Sequence, residues 1–301
     1  MKKIINIVDR KRWGLLEHAH AVDYFANELG HESITYSILD PDGISIRKLF
    51  SVRNATIIIW SLGLCTLLIP FLRLRNKVVF VCHEPGGFIQ RFNKGDGLFY
   101  SICVSLYELM MSFSHHIVTP NKRNAEKFGM EYVPLVYRPM SSFESENVSR
   151  DSKYCVYYLG RLDHRRGEEF FLQLQNQLSD IYDFKFFPCE GVGCEEQDKV
   201  TYTRQRGCVF NYYNVEHNQS GVTGDALRLN LPVIVSEFDF ICDDIESHGI
   251  GKVINSDISD LDNFAAAIEK LSSITYNDEI FDYYNVNFGK AAFDKVWGKI
   301  I

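Results

Sequence analysis

The sequence has eight cysteines but no Cys-x-x-Cys pair, so the usual dithiol redox motif and the common zinc-finger spacings are absent. The thiols, at 65, 82, 103, 155, 189, 194, 208 and 242, are scattered, and several fall in apolar runs. They read as free buried residues in a reducing compartment. Cys189, Cys194, Cys208 and His217 would make four zinc ligands, but in a spacing that matches no finger pattern. No metal is therefore expected. A Gly-x-Gly-x-x-Gly turn is also missing. The segment after the first strand is Asp9-Arg10-Lys11-Arg12-Trp13-Gly14, which lacks what a nicotinamide-dependent dehydrogenase needs there. There is no concentrated basic stripe, and the net charge of -7 argues against nucleic acid as a partner. Met1 leads through two lysines into a short strand with no cleavage-site pattern, so a cytoplasmic location is expected. Internal repeats and low-complexity segments are lacking as well.

The 301 residues, 46% of them hydrophobic, suffice for two domains of ordinary size. Charge divides unevenly between the halves. Residues 1–150 hold 18 Lys+Arg against 14 Asp+Glu, and the remainder is strongly acidic. A basic first half suits anionic lipid or phosphate groups. Ala55–Leu72 carries no charge and is followed by Arg73, Arg75 and Lys77, which makes it long enough to be weighed as a membrane span. Its β-branched start, the Ser61-Leu62-Gly63 turn and Pro70 instead predict a buried strand followed by a short apolar helix. That helix and its basic end could rest on a membrane surface.

Periodicity predicts alternating strands and helices. Strands are expected at 3–8, 33–38, 55–60, 78–82 and 116–119. Helices are expected over 98–112 and 121–128, and over a first face built from Leu15, Ala19, Val22, Ala26 and Leu29. The polar run Ser141–Ser152 is the candidate linker. The alternation then resumes, with strands at 154–159, 184–188, 208–213 and 232–236. Helices are expected at 168–178, 222–229 and 261–271, and the aromatic-rich stretch 279–301 reads as helical. Such alternation means parallel sheets covered on both faces. Ligands of such sheets sit at the strands' carboxyl ends, here in a cleft between two units.

Two segments carry chemistry. Leu159-Gly160-Arg161-Leu162-Asp163-His164-Arg165-Arg166-Gly167 ends a strand in a glycine turn with two cations before a helix, an arrangement suited to a diphosphate. Ser220-Gly221-Val222-Thr223-Gly224-Asp225 opens a helix with small residues whose free N–H groups can bind phosphate. Asp225, expected in the first turn or so, suits the helix dipole and could accept ribose hydroxyls. His83-Glu84-Pro85-Gly86-Gly87, at the carboxyl end of a strand, is a further candidate for the reacting centre.

Together and in this order, the segments resemble the retaining GT-B glycosyltransferases, in particular family 4. That family shows a G-R-L-x-x-x-K-G turn, then an E-x7-E segment, then G-x-P-V-I. Arg161 matches the family arginine, Arg166 stands for its lysine, and Leu231-Pro232-Val233-Ile234 matches the strand after the helix. Asp225 replaces the second glutamate, the ribose ligand. His217 falls at the first, with Glu216 and Gln219 beside it. Trp13-Gly14 and Gly30-His31 match the weaker N-terminal signals.

The resemblance implies two tandem Rossmann-like domains with parallel sheets facing across a cleft. Residues 1–145 would bind acceptor, 146–278 would bind the nucleotide sugar, and 279–301 would pack back on the first domain. It further implies sugar transfer with retention and without a metal or cofactor, from a UDP- or GDP-type donor. Surface polysaccharide or glycolipid synthesis at the inner face of the cytoplasmic membrane is the implied setting, with a glycan or lipid-linked acceptor. No Asp-x-Asp pair is assigned to metal, and Asp163 stands alone. His83, Arg161 and Arg166 are the implied catalytic residues. Gly14, Glu84, Gly160, His217, Gln219, Ser220, Gly221, Val222, Thr223 and Asp225 are the implied donor ligands. Two alternatives remain beside this one: a degenerate nucleotide-binding or scaffold subunit, and a sugar-nucleotide epimerase on the same fold.

Overall fold

A computed structural model describes residues 1–8, 13–38, 43–60, 63–83, 98–139, 153–160, 167–187, 206–213, 221–254, 261–273 and 278–301. The chain forms two compact units. Unit 1 comprises residues 1–138 and 288–301, and unit 2 comprises residues 139–287. The expected linker, Ser141–Ser152, lies outside the described residues.

Unit 1 holds a six-stranded sheet of β1 (Lys3–Val8), β2 (Glu32–Ser37), β3 (Ala55–Ile59), β4 (Lys77–Val81), β5 (His116–Thr119) and β6 (Glu131–Tyr132). Its order is β2-β1-β3-β4-β5-β6, and every pair is parallel. The first helix, α1 (Trp13–Glu28), buries Ala19, Val22 and Ala26 as its periodicity predicts, but Leu29 lies past the helix end and is exposed. Gly30 follows at φ +76, the left-handed conformation that commonly closes a helix.

The uncharged stretch folds as β3, a 3-10 turn (Leu64–Leu68), and α3 (Ile69–Arg73); α2 (Ile46–Ser51) precedes it. Pro70 sits in the first turn of α3, where its missing N–H leaves no helical bond unmade. Among the described residues no helix is long and apolar enough to cross a membrane. Ile57, Ile58 and Ile59 are fully buried, so they have no part in the membrane contact expected of this region. The remaining helices of this half are α4 (Leu98–Ser112) and α5 (Lys122–Phe128). Asn121 caps α5 by accepting from the Asn124 N–H at 3.1 Å.

Residues 288–301 complete unit 1. They form short helical turns with a π-helical stretch at Phe293–Trp297. Trp297 is fully buried, stacks on Trp60 at 5.5 Å, and donates its Nε1–H to the Pro134 carbonyl at 2.9 Å. Tyr137 N–H donates to the Phe288 carbonyl, and Lys2 Nζ donates to the Ile301 carbonyl.

Unit 2 holds β7 (Cys155–Leu159), β8 (Asp183–Phe187), β9 (Gly207–Asn211), β10 (Val233–Ser236) and β11 (Gly251–Ile254) in the parallel order β11-β10-β9-β7-β8. Its helices are α6 (Glu168–Leu178), α7 (Gly221–Arg228), α8 (Cys242–Ile245), α9 (Leu261–Ser272) and α10 (Asp278–Asn287). One face of the sheet packs an aromatic core of Tyr158, Phe171, Phe210, Tyr212 and Phe264. Among the described residues five cysteines are free, and four of these are buried. Burial pushes the Cys155 thiol up to about 11 and raises that of Cys208 as well, so both stay protonated and unreactive.

At the sheet's edge, a Cβ added to Gly251 would stand 2.1 Å from the Val233 carbonyl oxygen. The clash is with backbone of the paired strand, so no rotamer relieves it. Gly251→Ala is expected to destabilise by about 3 kcal/mol, the upper end of overpacking, measured as a lowered urea midpoint. Gly298→Ala, with its nearest neighbour atom at 3.8 Å, should be neutral or gain up to about 1 kcal/mol of helix propensity.

Candidate functional site

In both sheets the chain reverses direction of growth beside the first strand of the unit: between β1 and β3 in unit 1, and between β7 and β9 in unit 2. Ligands of open parallel sheets bind at the carboxyl ends of the strands at such a point. Of the predicted motifs, Gly160 follows the carboxyl end of β7 and His83 that of β4.

In unit 2, β7 ends at Leu159 and the chain turns at Gly160, whose φ is +99. It re-enters described structure at Gly167, φ +67, the residue that caps α6. A Cβ on Gly167 would meet the Tyr212 ring at 2.8 Å, so the turn requires glycine on two grounds. Arg161 and Arg166, the two cations of this loop, lie outside the described residues, as do Glu84, His217, Gln219 and Ser220.

The start of α7 is fixed by a buried polar network absent from the sequence reading. Asn211, the last residue of β9, donates its Nδ2–H to Thr223 Oγ1 at 2.7 Å and to Asp239 Oδ2 at 3.3 Å. Thr223 Oγ1–H donates to Asp239 Oδ2 at 3.0 Å, and Asp239 Oδ1 accepts the Ile241 N–H at 3.1 Å. All three side chains are buried. The network ties the carboxyl end of β9, the first turn of α7 and the loop after β10 to one another. It thereby holds the first turn of α7, with the backbone of Gly221, Val222 and Thr223, in place. Among the described residues no atom lies within 4 Å of where a Cβ on Gly221 would be. The one sequence signal for the network is a polar Asn ending an otherwise apolar strand.

Asp225 differs from expectation. The helix begins at Gly221, which puts Asp225 in its second turn, beyond the reach of the N-terminal dipole. What holds it is Arg228, one turn on, whose Nη2 lies 2.8 Å from Asp225 Oδ1. Arg228 is buried, and the Asp225 side chain nearly so. Helical geometry brings residues three apart onto one face, so the pairing was visible in the spacing.

In unit 1, His83 follows Cys82 at the carboxyl end of β4, with its ring 6.0 Å from that of Trp60. Trp60, at the end of β3, donates its Nε1–H to Asn6 Oδ1 at 2.7 Å. Asn6 Nδ2 in turn donates to Asp23 of α1 at 2.7 Å. The His83 Nε2 is buried, and among the described residues it has no hydrogen-bond partner. Burial, with a smaller contribution from His18, pushes the imidazole down to about 3, so it is neutral at physiological pH. Gly14 lies in the first turn of α1 and not in a loop after β1.

Among the described residues no group of His, Cys, Asp or Glu has the arrangement of a metal site. Asp-x-Asp spacings occur nonetheless, at Asp40/Asp42 and Asp260/Asp262. Asp40, Asp42 and Asp260 lie outside the described residues, and Asp262 is exposed on the first turn of α9. Both pairs follow edge strands, β2 and β11.

No family profile and no curated protein matches the chain by sequence. Solved structures do. The chain is similar to sucrose-phosphate synthase from Thermosynechococcus elongatus, at 12% identity and a TM-score of 0.70, over 100% of this chain and 98% of that one. It is similar to AviGT4, a glycosyltransferase involved in avilamycin A biosynthesis, at 12% identity and a TM-score of 0.65, over 100% and 97%. Anabaena HepE, solved in complex with UDP and glucose, matches at 8% identity and a TM-score of 0.63, over 99% of each chain. At such identities the likeness is one of fold. The fold is α/β, of the GT-B glycosyltransferase type, with one parallel sheet in each unit.

Proposed function

We propose that this chain is a metal-independent, retaining glycosyltransferase that moves a hexose from a nucleotide-sugar donor to a lipid-linked or glycan acceptor in surface polysaccharide or glycolipid synthesis. The observation that carries the reading is the pair of positive-φ glycines, Gly160 after β7 and Gly167 before α6, in the unit whose α7 start is anchored by Asn211, Thr223 and Asp239. Arg161 and Arg166 would neutralise the departing diphosphate, joined by the amides of Gly221, Val222 and Thr223. Asp225, steadied by Arg228, would accept the ribose hydroxyls. His83 would serve as a neutral imidazole toward the donor sugar or the acceptor hydroxyl. In this chemistry the protein mainly positions reactants and stabilises the leaving group. No cofactor is required. The proposed location is cytoplasmic, against the inner membrane face.

UDP is the first donor to test, because HepE has this fold and was solved with UDP and with UDP-glucose. In a thermal-shift panel of UDP, GDP, ADP, CMP and NAD, one nucleoside diphosphate is expected to stabilise the protein. The shift should persist in EDTA and vanish in Arg161→Ala. At a hundredfold excess over Kd it should correspond to about 2.7 kcal/mol. A response to NAD alone, or to no nucleotide, would refute the transferase reading and favour the scaffold alternative.

A further inference from the structure

The outer surface of α2, α3 and α4 is unlike the rest of unit 1. Their inner faces are ordinary: Leu49, Ile69, Leu72 and Met111 pack on the sheet. Outward, however, Phe71 is 60% exposed, Leu74 79% and Ile102 57%. Leu106, Leu109 and Phe113 continue from Ile102 at spacings of four, three and four, and all are exposed. That is an apolar helical stripe turned to solvent, the reverse of what a globular helix presents. The patch is continuous. The Phe50 ring meets Phe71 edge-on at 6.0 Å, and Arg73 Nη1 donates to the Phe113 carbonyl at 3.0 Å.

Its charge is mostly of one sign. Between Gly43 and His83 the sequence contains Arg47, Lys48, Arg53, Arg73, Arg75 and Lys77, and no carboxylate. Glu108 is the one acid on α4.

We infer that this face docks on an anionic phospholipid bilayer, with Phe71, Leu74 and the α4 stripe entering the interface and the surrounding arginines and lysines meeting lipid phosphates. Apolar side chains amid cations are the chemistry of an interfacial helix surface, and juxtamembrane cations gain from anionic headgroups. Long cationic side chains can lay their stems on the apolar ground and reach outward. A second copy of the chain fits poorly. A two-fold contact would set this cationic patch against itself. The inference deepens the reading of a lipid-linked acceptor, and only its biological purpose rests on that reading.

The test is co-sedimentation of the full chain with phosphatidylcholine vesicles, with and without phosphatidylglycerol, at low and high salt. Two variants are compared: Phe71→Ser/Leu74→Ser/Leu106→Ser and Arg73→Gln/Arg75→Gln. Wild type is expected to bind phosphatidylglycerol vesicles at low salt, and each variant to lose about tenfold or more in affinity. Retained circular dichroism and an unchanged nucleotide-induced thermal shift would show that the variants are folded. Failure of wild type to bind, equal binding to both vesicle types, or wild-type binding by the serine variant would overturn the inference. So would a wild-type dimer that the serine variant converts to monomer, which would assign the face to a second copy. Vesicle binding without any nucleotide response would leave the docking face standing and remove the transferase reading.

Discussion

Replacing Arg228 with methionine is expected to lower the unfolding free energy by about 3–5 kcal/mol. The guanidinium is buried and lies 2.8 Å from Asp225 Oδ1. Methionine fills comparable volume, so the loss comes from leaving a largely buried carboxylate without its counter-charge and not from a cavity. The double variant Arg228→Met/Asp225→Asn should recover much of the stability, because it removes both charges together. The measurement is a double-mutant cycle by urea unfolding. The coupling should exceed about 1 kcal/mol. Additive effects would mean that the pair does not hold the second turn of α7. The same cycle read by nucleotide binding separates two roles for Asp225. If it serves the ribose, the double variant folds yet binds donor more weakly.

His83→Ala should reduce transfer by about 10²–10³-fold, within the range of a positioned acid–base group, while the nucleoside diphosphate still stabilises the protein as in wild type. Equal loss of both would make His83 structural. Its titration offers a second readout. With the folded imidazole held near 3 and an unfolded value near 6.5, the unfolded chain binds the extra proton between those limits. The stability linked to His83 is therefore fully present above about pH 6.5 and falls as pH drops toward 3, by at most about 1.4 kcal/mol per pH unit. His83→Gln should flatten that acid slope. The folded enzyme should also show no loss of kcat/KM at pH 6.5 that traces to this histidine.

Much of the scaffold was legible because its signals are local. A helix over 98–112, a strand at 116–119 and a helix over 168–178 coincide with the observed α4, β5 and α6. Hydrophobic period and glycine punctuation suffice for those. The elements that escaped are short or at edges. α2 has six residues, two of them cationic. β6 spans two residues, and β11 opens on a glycine. None carries enough period to stand out from its flanks.

The site divides along a similar line. Gly160 and Gly167 announced a turn, and both adopt positive φ. The link among Asn211, Thr223 and Asp239 joins a strand end, a helix start and a loop of unit 2, and nothing in a linear pattern connects an Asn to an Asp 28 positions away. Asp225, expected in the first turn or so, lies just past it because the helix opens at Gly221, one residue before the expected 222. The exposed stripe on α4 was missed for a related reason. An apolar period says that one face is greasy, not whether protein covers it.

The return of residues 288–301 to unit 1 also sets an order of assembly. Domains commonly fold as they emerge, the N-terminal one first. Here the second unit is continuous in sequence and has its whole chain before the first does. The first must wait, with Trp60 and the Pro134 carbonyl lacking Trp297, until residues 288–301 have been synthesised. During that interval its apolar sheet face is open to chaperones or to aggregation. A lesion within residues 288–301 would thus surface as a folding defect of the N-terminal domain, whose nearest residue, Arg138, lies 150 positions before Phe288.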